Sequence, residues 1–358
     1  MAGTNVKIKG IYKSYKDVKV LKNVDLEIEK GDFLTILGPS GAGKTTLLKM
    51  IAGFEEPDTG TVAVNGENIL VKPVHKRNIG MLFQNYALFP HMTVKENIAY
   101  PLKIRKYSKA DIKEKVEEML SYIQMEEYGE RYPRELSGGQ QQRVALGRAI
   151  VFNPDVLLLD EPLGALDKQL RKQMQIEIKR IHEERGLTTI SVTHDQEEAL
   201  TMSTKVCIMK NGKIAQVDTP EEIYTYPKNR FVASFIGEAN ILKTEILKKE
   251  QDKRIIKLFG QKITVHQGSF FLPEGDDAVA VIRPEKIGIV NEDYDGIRIK
   301  GIAREIIYVG DILRIQMETK EGILLQLKLF TLAERKLQKG QEITVGFSAG
   351  DIVLLQKW

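Results

Sequence analysis

Apolar and polar residues alternate through residues 5–30, in NVKIKGIYKSY and KVLKNVDLEIEKG, which predicts antiparallel strands. DFLTIL, residues 32–37, is a short continuous apolar run and predicts a buried strand feeding a glycine-rich turn. The helix KTTLLKMIAG follows and should stop at Gly53, because glycine accepts the left-handed geometry just past a helix end. GTVAVNGENI predicts a hairpin with its tight turn at Asn65-Gly66. From Ser108 the period lengthens to that of a helix: Ile112, Val116, Met119, Leu120 and Ile123 share one face, with Ser108 and Asp111 spaced for a capping box. Then come the strand VLLLDEP, a helix over 168–185, the strand TTISVTH and a helix beginning DQEEAL. Strands separated by helices predict a parallel sheet covered on both faces.

After about residue 235 the pattern changes. ILKTEI, RIIKLF, KITVH, AVAVIRP, AREIIYV, ILRIQME, ILLQLKL, EITVGF and DIVLL are short alternating segments between turns. They predict a small all-β barrel domain, with room for a duplicated barrel. The boundary falls near FIGEAN, giving an α/β domain over 1–235 and an all-β domain over 236–358.

Composition narrows the class. Hydrophobic residues make up 42% and charged residues 28%, the proportions of a globular chain. Fifty-three basic against 49 acidic residues leave a net charge of +4, interspersed along the chain, which gives no footprint for nucleic acid. The single cysteine, Cys207, excludes an internal disulfide and a cysteine-rich metal site, and its apolar setting in KVCIMK predicts a buried thiol. The start MAGTNVKIKG has no apolar signal segment, and no run approaches the roughly 20 apolar residues that cross a bilayer. A soluble chain is expected, with any membrane link made through a partner.

GPSGAGKT, residues 38–45, follows an apolar strand and opens a helix, the context a phosphate-binding loop requires. Gly38, Gly41 and Gly43, with Pro39, Ser40 and Ala42 between them, allow backbone to wrap a phosphate chain. The amides from Gly41 to Thr46 face it at a helix's positive end. Lys44 supplies a point charge to the β and γ phosphates, and the Thr45 hydroxyl can ligate Mg²⁺. VLLLDEP ends in two carboxylates: Asp160 would hold Mg²⁺ and Glu161 would polarise an attacking water as general base. A strand ending in Asp-Glu is ordinarily a solvated strand end; the loop before it changes that reading. LSGGQ, residues 136–140, places Ser137 at a helix start beside two glycines, where glycine costs roughly 1 kcal/mol in a helix.

On these motifs residues 5–235 resemble the nucleotide-binding subunits of ABC transporters, with LSGGQ the most specific mark. The resemblance implies a P-loop NTPase fold: a RecA-like core, a helical subdomain over about 86–155, and ATP with Mg²⁺ as cofactors. It implies that Gln84, in LFQNY, links Mg²⁺ and the attacking water to the membrane partner. Asp167, in GALDKQ, belongs to a loop crossing to the other subunit. His194 contacts the γ phosphate and orders the water, and Tyr15 stacks on adenine. Alone, His194 would read as a structural histidine, Gln84 as a surface amide and Tyr15 as a half-buried strand residue. In the family the cradle of Ser137, Gly138, Gly139 and Gln140 faces the γ phosphate held by a second copy, so two chains bury two ATP molecules head to tail.

One cassette, no long heptad run and no membrane span together leave a separate importer subunit. The β-rich tail resembles the paired OB-like (TOBE-type) regulatory domain of sugar, polyamine, iron and oxyanion importers, and AVIRPEKIGIV, residues 280–290, matches its Ile-Arg-Pro-Glu segment. Arg283 and Glu285 are read as fold-stabilising contacts within the barrel. RNIGMLFQNYALFPHMTVKENIAYPLKIR leans by resemblance toward spermidine/putrescine importers, with sugar, phosphonate, iron and oxyanion importers as alternatives. The implied partners are a second copy, two integral membrane permease subunits and, indirectly, an extracytoplasmic solute-binding protein. The implied place is the cytoplasmic face of the cell membrane, with a cleft near Gln84 receiving the permeases. A nucleotide-dependent regulatory module and a non-transport ABC ATPase are the readings from other classes.

Overall fold

In the computed structural model the described residues are 4–164, 166–266, 277–331 and 337–356; the first three residues of the polar start lie outside them. They divide into two units, residues 1–221 and 222–358.

In the first unit β1 (Val6–Tyr15) and β2 (Val18–Ile28) form the antiparallel ribbon that alternation predicts. β3 (Phe33–Leu37) is buried at every residue and runs through the Gly38–Gly43 loop into α1 (Lys44–Ala52). The helix stops at Gly53, whose φ of 94° is left-handed. β4 (Thr59–Val64) and β5 (Glu67–Asn68) make the expected hairpin. Asn65 and Gly66 have φ of 51° and 79°, positive at both central positions as this turn requires. The remaining elements are β6 (Ile79–Leu82), α2 (Val94–Ile104), α3 (Lys109–Tyr122), α4 (Gly138–Ile150), β7 (Val156–Asp160), α5 (Lys168–Arg185), β8 (Thr188–Thr193), α6 (Gln196–Met202), β9 (Lys205–Lys210) and β10 (Lys213–Asp218).

The main sheet has the order β10-β9-β3-β8-β7-β6, parallel except for the β9–β10 hairpin. Neighbouring parallel strands deliver their carboxyl ends to one edge. Leu37, Leu82, Asp160 and Thr193 end β3, β6, β7 and β8, so the phosphate loop, Gln84, Glu161 and His194 all emerge there. β7 shows why such a strand reads as a continuous apolar run. Val156 and Leu158 join the core under α1 and the β1-β2-β4 sheet, while Leu157 and Leu159 join the core of α2, α3, α4 and α5.

One local reading needs correction. Ser108 caps α3, accepting from the Asp111 N–H at 3.1 Å, but the reciprocal half of the box is missing. Asp111 is one methylene shorter than glutamate, and its carboxylate accepts from the Ser108 hydroxyl at 2.7 Å instead. α2 falls within the helical subdomain expected over about 86–155, although proline is ordinarily unfavourable inside a helix. The helix carries Pro101 inside it, buried, after a full capping box of Thr93 and Glu96.

α7 (Pro220–Thr225) leads into the second unit, which holds α8 (Arg230–Phe235) and two five-stranded antiparallel sheets. Their orders are β13-β12-β11-β14-β20 and β15-β19-β16-β17-β18. The strands are β11 (Asn240–Lys249), β12 (Lys253–Leu258), β13 (Gln261–His266), β14 (Asp277–Ile282), β15 (Gly288–Ile289), β16 (Ile297–Val309), β17 (Ile312–Thr319), β18 (Leu324–Phe330), β19 (Glu342–Phe347) and β20 (Val353–Gln356). Ile256, Ala280 and Leu354 from one sheet meet Ile315, Leu327 and Val345 from the other in a single core.

Arg283 is buried, and its guanidinium donates to the carbonyls of Tyr224 (3.2 and 2.7 Å), Ala233 (3.1 Å), Ile236 (2.7 Å) and Glu238 (3.1 Å). Its contacts stabilise the fold, yet they reach the α7–α8 segment rather than other barrel strands. Tyr224 stacks 4.1 Å from the guanidinium and donates to Glu285 at 2.5 Å; burial and that carboxylate push the phenol up to about 12.

Candidate active site

The phosphate loop is bare backbone for steric reasons. A Cβ on Gly38 would sit 2.3 Å from the Met209 carbonyl oxygen, and one on Gly43, at φ 98°, would sit 2.6 Å from Leu21. Gly41 is also left-handed, at φ 76°, with open space around it. Gly43 is the N-cap of α1 and offers no side chain to its orphan amides. The Ala42 N–H closes on the Pro39 carbonyl at 3.2 Å. Pro39 and Ser40 are exposed; Thr45 and Thr46 are half-buried. Lys44 is buried, and its ammonium turns onto the loop's own carbonyls, Gly38 at 2.8 Å and Pro39 at 3.1 Å. Burial lowers its pKa, and the charge of Glu161 acts in the other direction.

Glu161 follows β7 in left-handed backbone, φ 45°, with its N–H bonded to the Val192 carbonyl at 2.9 Å. Such geometry is costly for a residue with a Cβ and is characteristic of functional turns. Its carboxylate accepts from Gln84 Nε2 at 3.0 Å on one oxygen and lies 3.3 Å from His194 Nδ1 on the other. Three predicted residues from three strand ends therefore meet. Burial and the charge of Glu161 raise the pKa of neighbouring Asp160, while Lys49 lowers it.

Tyr15 is 42% exposed and its hydroxyl interacts with Glu55 and Thr46, which puts the ring beside the end of the phosphate loop. The Lys13 ammonium lies 5.2 Å from its centroid. Burial, then Glu55, raises the phenol's pKa.

The signature residues are occupied locally. Ser137 caps α4 through the Gln140 N–H at 3.4 Å, and the Gln140 side chain accepts from the Ser137 N–H at 2.9 Å, a closed capping box. The two glycines separate. Gly138 is exposed, and a Cβ there meets only Leu166, at 3.7 Å; on Gly139 it would meet Leu170 of α5 at 2.8 Å. Helix packing thus gives Gly139 a steric reason of its own to lack a side chain, beside the cradle that the resemblance implies. Asp167 caps α5, accepting from the amides of Gln169 (3.0 Å) and Leu170 (2.9 Å). No hydrogen bond among the described residues joins Ser137–Gln140 or Asp167 to Lys44, Gln84, Glu161 or His194.

Sequence reasoning missed the supports of this centre. Thr193 donates to the buried Glu198 carboxylate at 2.7 Å and accepts from the Asp195 N–H at 3.0 Å, fixing the turn on both sides of His194. Arg171 donates to Asp195 at 3.1 Å and to the Leu166 carbonyl at 3.3 Å, joining the turns that bear His194 and Asp167. Gln142 of α4, fully buried, donates to the Pro162 carbonyl at 2.9 Å, next to Glu161. A polar residue on the apolar face of a predicted helix was the available signal.

Residues 21–164 match the ABC transporter family and residues 280–355 match the TOBE domain. The spermidine/putrescine import ATP-binding protein PotA of Thermotoga maritima is 45% identical over 331 residues, 91% of this chain and 90% of the relative. The protein of the same name from Chromobacterium violaceum is 43% identical over 324 residues, 90% of each chain. Among solved structures, a dimeric post-hydrolysis state of the ATP-binding cassette MJ0796 bound to ADP and Pi is similar with a TM-score of 0.54 and 34% identity. It covers 60% of this chain and 98% of that one. With the phosphate loop, the Glu161 centre and a relative of this identity over nine-tenths of its length, the chain belongs to the ABC transporter family of ATP-binding import proteins.

Proposed function

We propose that this chain binds and hydrolyses ATP to energise import of a small solute, a polyamine such as spermidine or putrescine. Two copies close head to tail over two ATP molecules. The chain sits at the cytoplasmic face of the membrane on two permease subunits, and a solute-binding protein selects the cargo. The observation that carries the hydrolytic reading is the Glu161 carboxylate, shared by Gln84 and His194 at the sheet edge that also bears the Lys44 loop. The relatives' names support the solute, and the dimeric cassette bound to ADP and Pi supports the pairing.

Each residue then has a task. Lys44 exchanges the weak carbonyl acceptors of Gly38 and Pro39 for phosphate oxygens. Mg²⁺ fits the donors, since the Thr45 hydroxyl, the Gln84 amide oxygen and the Asp160 carboxylate are all hard oxygens. A carboxylate whose pKa is raised by burial and a neighbouring acid is relieved by a cation. When bound, the ion neutralises charge on the β and γ phosphates. Glu161 takes a proton from the attacking water as the water oxygen bonds to the γ phosphorus. The bond from phosphorus to the bridging oxygen breaks, and ADP leaves with the electron pair. Gln84 steadies one carboxylate oxygen, and His194, beside the other, contacts the γ phosphate and orders the water.

Glu161→Gln is the test. Turnover should fall about 10²–10⁴-fold, the usual weight of a general base, while ATP binding persists and an ATP-bound dimer accumulates. Unchanged turnover rejects the assignment. Reconstituted with permeases and binding protein, the wild type should hydrolyse ATP faster with spermidine or putrescine; stimulation by a sugar or oxyanion instead reassigns the cargo.

A further inference from the structure

The segment after Gln84 is held in an unusual way. Tyr86 and Ala87 are consecutive left-handed residues, φ 60° and 45°, a conformation sterically unfavourable for side chains with a Cβ. Their carbonyls both turn to Arg148 on the last turn of α4, which donates to Tyr86 and to Ala87 at 2.8 Å each. The guanidinium also lies 5.4 Å from the Phe89 ring. Asn97 of α2, fully buried, grips the next stretch. It accepts from the Phe89 N–H at 2.9 Å and donates to the carbonyls of Phe89 (3.2 Å), Met92 (3.1 Å) and Thr93 (3.0 Å). Arg148 reaches the same Asn97 side chain at 3.4 Å.

Arg148 stands eleven residues beyond Ser137 on one uninterrupted helix, about 16 Å along its axis. α4 therefore carries the signature at one end and the anchor of the Gln84 segment at the other. We propose that Arg148 is a positioning residue whose planar fork locks segment 84–93 to α4, so that Gln84 and Ser137 move as one body. A displacement of residues 86–92 then reaches Glu161 through its 3.0 Å contact with Gln84, and reaches Ser137 through α4. Lysine cannot substitute, because a single ammonium on a flexible stem does not hold two carbonyls in a fixed fork. The inference rests on the reading of Gln84 and Glu161 as the hydrolytic pair.

The test uses the full chain with Arg148→Lys, and Arg148→Met as a second variant. Hydrogen exchange at amides 85–89 should quicken about tenfold or more, while α1 and β3 exchange as in wild type. Turnover should fall about tenfold with the KM for ATP within about twofold. In a Gln84→Ala background Arg148→Lys should cause no further loss, since residues acting through one another are non-additive. Unchanged exchange, unchanged turnover, or equal losses in both backgrounds each overturn the proposal. If Glu161→Gln retains turnover, the hydrolytic reading fails, and exchange at 85–89 still decides whether Arg148 is the lock.

Discussion

The starts of α1 and α4 are both glycine-rich helix ends, and they are finished in opposite ways. α1 begins at Gly43 with no side-chain cap, so its amides are open, and the nearby cation rests on loop carbonyls. α4 begins at Ser137 with a closed box, which answers the amides of Ser137 and Gln140 and not those of Gly138 and Gly139. The glycines differ likewise. Gly38 is pressed against backbone, which cannot yield; Gly139 is pressed against the end of a leucine, which can; a Cβ on Gly138 would make only ordinary contact with Leu166. The first end is organised to take an anion on its own chain. The second closes only its Ser137 and Gln140 amides, and under the proposed pairing the amides of Gly138 and Gly139 are left for the nucleotide of a second copy.

The largest effect should come from Gly38→Ala. A Cβ 2.3 Å from the Met209 carbonyl forces the loop open, and ATP binding should fall at least about 100-fold by calorimetry. Retained binding would remove the steric account of the first cradle. Ser137→Arg should leave ATP binding to the single chain intact and abolish ATP-dependent dimerisation, read by size-exclusion chromatography in a Glu161→Gln background. Ser137→Asp should do the same while keeping the cap, because aspartate caps as well as serine but repels phosphate. Normal dimers in both variants would break the two-copy reading of α4. Gly139→Ala should cost about 1–2 kcal/mol of unfolding stability through its contact with Leu170, while Gly138→Ala stays within roughly 0.5 kcal/mol. Equal costs would erase the distinction between the two glycines.

The smallest effect lies away from both cradles. His182 on α5 is buried against Phe33, with Nδ1 3.0 Å from the Thr189 hydroxyl, and burial lowers its pKa below 6.5. Its unfolded form therefore binds protons first. Its contribution is complete above pH 6.5 and is lost as pH falls from there toward the folded pKa, at up to about 1.4 kcal/mol per pH unit. Urea midpoints between pH 7 and 5 should fall less steeply in His182→Gln.

Much of this was legible in sequence because it is local. The span Lys168–Arg185, the stop at Gly53 and the Asn65-Gly66 turn each depend on a few neighbouring residues. Asp111 closed only half a box because carboxylate reach is a matter of one methylene. Arg148, Arg171 and Glu198 carried no pattern of their own, and Gln142 showed only as a polar residue on an apolar helix face. Their meaning lies in partners 5 to 62 positions away in sequence.

The chain's order alone determined which chemistry is available: a loop that must be glycine, a lysine one residue into a helix, and two acids at the end of an apolar strand. Tertiary structure decided what meets what. Parallel pairing of β3, β8, β7 and β6 aligned four strand ends, bringing Gln84 and His194 to the two oxygens of Glu161. It also decided that one signature glycine serves packing and the other is open. Periodicity records which face of an element is buried, and the partner on that face is set only by the fold.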